Sequence, residues 1–97
     1  MFSARLENHR DTSMLNICDT ELLVRSLSKG NFTLKITDNY YAEKTVVKEE
    51  AKDLLRSSNS INMVGKEIVS LSVNMGIGSE DGIKEIDGIP FLIVFKM

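Results

Sequence analysis

The stretch SINMVGKEIVSLSVNMG, Ser60 to Gly76, decides the fold. Ile61, Val64, Ile68, Leu71 and Met75 recur at steps of three and four, within roughly 80° of one another on a helix of 3.6 residues per turn. That spacing predicts a core-facing stripe on one long helix. Gly65 and Ser72 fall at the edge of the stripe, where small side chains let a neighbouring element come close, and Val69 and Val73 widen the apolar face. Burying five such side chains contributes about 1.5–3 kcal/mol each, so this helix is the expected centre of a small core.

Upstream, Val47, Ala51, Leu54 and Leu55 predict a second helix over Val47–Ser57, with Lys48, Glu49, Lys52, Asp53 and Arg56 on its outer face. The polar run Ser57-Ser58-Asn59-Ser60 breaks it, and the two helices are expected to form a hairpin. Downstream, Gly76 ends the long helix in a Schellman cap with Ile77 folding back. A short strand Ile83–Ile86 then meets Asp87-Gly88, a type I′ turn signal, and returns as Phe91-Leu92-Ile93-Val94-Phe95. Five consecutive apolar residues predict a central strand covered on both faces, with Pro90 at its start.

The N-terminal half begins with Phe2, Ala4 and Leu6 alternating against Ser3, Arg5 and Glu7, a half-buried strand that pairs with a second strand, Met14–Cys18, across a polar turn. Asp19 is placed to cap a short helix through Leu22, Leu23 and Leu27 that ends at Gly30. Phe32, Leu34 and Ile36 alternate as a third strand. The expected architecture is a single α+β domain over residues 1–97, in the order ββαβααββ, with helices packed on a mixed or antiparallel sheet.

Composition agrees with one compact domain: 97 residues, 42% hydrophobic and 27% charged, at a formal charge of −2. The net charge offers no overall attraction for phosphate backbones. A single cysteine, Cys18, excludes an internal disulfide, and no run has the length of a membrane span or the build of a signal peptide. A cytoplasmic, reducing compartment is the expectation.

Side chains capable of chemistry are few. Cys18 stands before an expected helix start, where a thiol pKa can fall, but a small buried hydrophobe is the commoner role. One His and one Cys leave a metal with carboxylates alone, so neither a metal nor a cofactor is expected. The glycine-rich run Gly76–Gly82 follows a helix and precedes a strand, the wrong order for a phosphate loop, and carries Glu80 and Asp81. Asn62 and Gly65, on the first turns of the long helix, form a polar notch whose free amides are the best anion site in the chain. Lys48, Lys52 and Arg56 lie along one side of the second helix as a basic ridge, offset by Glu49, Glu50 and Asp53.

Three runs in order, Cys18-Asp19-Thr20-Glu21-Leu22-Leu23, then Asn62-Met63-Val64-Gly65, then Gly88-Ile89-Pro90, resemble the archaeal family of short proteins known as domain of unknown function 424. Val24 stands where many members carry glycine. Phe91 follows the proline where histidine is common, which removes a candidate catalytic side chain. The resemblance implies an archaeal, cytoplasmic α+β protein without an assigned activity.

No set of acid, base and nucleophile emerges, so the leading expectation is a non-catalytic binding or adaptor module with a protein partner in archaeal information processing. The candidate contact residues are Cys18, Asp19, Asn62, Gly65, Lys48, Lys52 and Arg56. One alternative is an RNA-binding accessory protein using the basic residues, with Tyr40 and Tyr41 stacking on bases. Another is a small enzyme built on Cys18 or Asp19. An uncovered strand edge would also allow homo-oligomers.

Overall fold

The computed structural model describes residues 1–22, 25–29, 32–36 and 44–96, with the two strands inside 25–36 described as backbone. The strands are β1 (Phe2–His9), β2 (Thr12–Asp19), β3 (Arg25–Lys29), β4 (Phe32–Ile36), β5 (Lys44–Val46), β6 (Ser60–Val64), β7 (Lys84–Ile86) and β8 (Ile89–Phe95). The helices are α1 (Lys48–Ser57) and α2 (Lys66–Asn74), and single 3-10 turns occupy Thr20–Leu22 and Glu80–Gly82. Six strands form one sheet in the order β5-β1-β2-β6-β8-β7, while β3 and β4 pair as a separate hairpin. Among the described strand pairs of this sheet only β2–β6 is parallel, so the sheet is mixed and the fold is α+β as expected.

The quoted stretch is a strand and a helix, not one long helix. Ser60–Val64 runs beside β2 with Ile61 opposite Leu15 and Met63 opposite Ile17, and these four side chains share one face of the sheet. Val64 points to the other face, into a second apolar cluster with Cys18, Leu22 and Ile86. Gly65 then turns the chain at φ 123°, a conformation that side-chain-bearing residues rarely adopt. The helical stripe survives only from Lys66 onward, where Ile68, Val69 and Leu71 are buried.

With β6 between them, α1 and α2 are not a helix hairpin. Each is a crossover leaving one sheet strand for another, and both lie on the same face. Ala51 and Leu55 of α1 join Ile68, Val69 and Leu71 of α2 over Phe2, Ala4, Leu15, Ile17, Ile61, Met63 and Leu92. The expected helix through Leu27 is one 3-10 turn, followed by β3. Leu23, Val24, Gly30, Tyr40 and Tyr41 lie outside the described residues.

Several local signals act as read. Gly76 N–H donates to Val73 O and Ile77 N–H to Ser72 O, both at 3.0 Å, which are the two bonds of a Schellman cap. Asp87 and Gly88 both have positive φ, at 52° and 77°, and join β7 to β8 as a two-residue type I′ turn. Asn59 ties the start of β6 to β2: its Oδ1 accepts from Ser13 N–H at 3.0 Å and its own N–H donates to Ser13 Oγ at 3.1 Å. Lys96 Nζ donates to the Leu55 and Arg56 carbonyls, closing the end of α1 and drawing this cation to the helical side.

Candidate functional site

Where β2 ends and α2 begins, Asp19 is the organising side chain. Its carboxylate accepts from Glu67 N–H at 3.1 Å and from Ile68 N–H at 3.0 Å, capping a helix nearly fifty residues away instead of the short segment that follows it. A Cβ on Gly65 would collide with this carboxylate, so the glycine is required both by its φ and by the close approach. The anion at this helix start is therefore the chain's own. Burial pushes the Asp19 carboxyl above its ordinary range, the two amide bonds oppose the rise, and Glu67 and Glu21 add a smaller upward push. Cys18 next to it is fully buried; desolvation, with the neighbouring Asp19 charge, pushes its thiol up to about 12. A thiol held protonated and covered is a packing group.

Asn62 lies in β6, and its Nδ2 donates to Asn16 Oδ1 of β2 at 2.8 Å. The register puts this pair in a row across the sheet face opposite the helices: Arg5 of β1, Asn16, Asn62, then Ile93 of β8. The adjacent row holds Glu7, Met14, Ser60 and Phe95. Arg5 and Glu7 form an ion pair at 3.2 Å on the β1 side. On the β8 side, Ile93 is 51% and Phe95 73% exposed, and Met14 is 36% exposed two strands away. Toward the β3–β4 hairpin the same face is closed by Leu22, Ile86, Ile89 and Phe91 over Cys18 and Val64. β8 is therefore covered on both faces only at its start, where Ile89 and Phe91 join the second cluster; farther along, contrary to the expectation from its apolar run, Leu92 is buried beneath the helices while Ile93 and Phe95 face solvent.

The basic ridge of α1 is neutralised along most of its length. Lys52 pairs with Glu49 at 3.5 Å, Arg56 with Asp53 at 3.2 Å, and Lys44, just before the helix, with Glu50 at 2.7 Å. Lys48 instead lines a cleft against α2. The named site residues thus fall into three groups. Cys18, Asp19 and Gly65 meet at a buried junction, Asn62 stands on the open sheet face, and Lys48, Lys52 and Arg56 belong to α1. Among the described residues no group of three or more His, Cys, Asp or Glu side chains could hold a metal ion.

Met14, Asn16, Ile93 and Phe95 escaped the sequence reading. Asn16 sits inside an apolar strand, and Ile93 and Phe95 are hidden in a run where both faces are apolar. Only the pairing of β2 and β8 through β6 brings them together.

A small α+β domain with two helices on one face of a mixed six-stranded sheet, and an amide and apolar row on the other, is the class these features define. The chain matches the family described as "Protein of unknown function (DUF424)" over residues 7–97 and belongs to it. An uncharacterized conserved protein from Methanopyrus kandleri is similar in structure, with a TM-score of 0.75 at 24% identity over 99% of this chain and 93% of its own. That likeness supports the fold alone. No curated protein sequence matches.

Proposed function

We propose that this protein is a non-catalytic, cytoplasmic binding module that docks a protein partner through the sheet face opposite its helices. The observation carrying this reading is the exposure of Ile93 and Phe95, neighbours on one side of β8, with Met14 near them. Large apolar side chains exposed on one side of a sheet face whose middle carries amides and whose other side carries an ion pair offer a partner both apolar area and polar anchors. The Asn16–Asn62 pair leaves further amide groups to fix the orientation of a bound surface. None of the described helices is long and apolar enough to cross a membrane. The archaeal setting implied by the family resemblance is part of the reading.

RNA is a weaker occupant because the basic side chains at Lys44, Lys52 and Arg56 already pair with carboxylates. On the open face Arg5 pairs with Glu7, and the register adds Lys84 of β7 at the far side. Buried, protonated Cys18 supplies no nucleophile, and Asp19 spends both oxygens on α2.

A photo-crosslinking residue at Phe95, compared with one at Asp81, tests the proposal in the native host. A nuclease-resistant protein adduct formed from position 95 and not from 81 supports it. Adducts to RNA, or to a second copy of the chain, would replace it with a nucleic-acid face or a dimer interface.

A further inference from the structure

A second surface lies on the helical side, remote from the open sheet face. A cleft of about 470 Å³ opens where β1 begins and α1 starts beside α2, within the size range of ligand sites, roughly 300–1,000 Å³. Buried Phe2 and Leu71 form its floor. Met1 and Val47, 65% and 56% exposed, stand at its rim. The described large apolar side chains that are exposed therefore divide between two places: Met14, Ile93 and Phe95 on the sheet face, Met1 and Val47 here.

The polar walls have a particular charge arrangement. Lys48 contributes from the first position of α1, and Glu67, Ser70 and Asn74 come from one side of α2, spaced as i, i+3 and i+7. The other cations on or beside α1, Lys44, Lys52 and Arg56, each hold a carboxylate. Lys48 forms no ion pair among the described residues, nor does Glu67, although they line the same cleft. A ligand bearing only negative charge would meet Lys48 favourably and Glu67 unfavourably, and a cation the reverse. A molecule carrying both charges on an apolar body satisfies both walls and covers Met1 and Val47.

We propose that this cleft binds a small apolar zwitterion, its carboxylate at Lys48, its ammonium at Glu67 and its hydrocarbon body over Phe2 and Leu71. A free apolar amino acid and a dipeptide share this chemistry. Ser70 and Asn74 supply neutral hydrogen-bonding groups between the charged ends.

Methyl-resolved NMR of the full chain without an N-terminal extension, titrated with leucine, leucyl-leucine, N-acetyl-leucine and leucinamide, tests this directly. Saturable shifts at the Val47 and Leu71 methyls are expected with the zwitterions, and the one that saturates first identifies the source. Each single-charge analogue should bind about tenfold or more weakly, the loss of one charge-assisted contact. In Lys48→Gln leucinamide should match leucine, and in Glu67→Gln N-acetyl-leucine should match it. Both side chains are exposed, so both variants should keep the wild-type unfolding midpoint. The absence of saturable shifts from either zwitterion, analogues that bind as well as leucine, or variants that leave the discrimination intact would overturn the proposal.

Discussion

Asp19 is worth more to this molecule than its place on an apolar strand suggests, because two amides of α2 have it as their acceptor. Asp19→Ala should lower stability by about 1–3 kcal/mol, through the lost cap and the buried Ile68 N–H left without a partner; a urea midpoint equal to wild type would refute this. The folded carboxyl keeps its proton to a higher pH than the unfolded one. The folded state then binds more protons in the window just above the ordinary carboxylate range, and stability falls as pH rises through it. That slope should be absent in Asp19→Asn when unfolding midpoints are followed across the window. At the adjacent position, Cys18 should react slowly with a thiol reagent near neutral pH and rapidly once the chain is unfolded, given a thiol pushed up to about 12 and fully covered. Asp19 reads in the sequence as a cap for the segment that follows it; the helix it does cap is α2, and no local spacing connects the two.

Among the elements, α1 was legible because its apolar and charged residues separate cleanly, although Val47, expected in its apolar stripe, is the exposed N-cap; the β7–β8 hairpin was legible because Asp87-Gly88 admits few other conformations. The strand β6 was misread for a physical reason. Ile61 and Val64 sit three apart and are both buried, which imitates a helical stripe, yet they are buried on opposite faces of a strand. Gly65, costly in a helix interior, was the available sign of the break. Gly65→Ala tests the corrected boundary: at φ 123° and against Asp19 it should cost roughly 1–3 kcal/mol, whereas in a continuous helix alanine would stabilise. Ile68→Ala, removing a fully buried side chain of α2, should cost about 2–5 kcal/mol by the same denaturation assay.

At the scale of the whole molecule, placing both helices on one face leaves the other face of the sheet partly open. The sequence made the core residues recognisable and concealed this asymmetry, since nothing in Phe91–Phe95 tells which apolar residues face the helices. The binding reading rests on that asymmetry. Ile93 and Phe95 are exposed, so the double substitution Ile93→Asp with Phe95→Asp should change stability by only about 1 kcal/mol or less. Its effect on association should be large, because apolar side chains at an interface centre carry a disproportionate share of the binding energy. The most direct measurement is the amount of nuclease-resistant protein partner recovered from the native host with this double variant, beside wild type. The account predicts that the partner is lost while the unfolding midpoint is retained; recovery equal to wild type would contradict it.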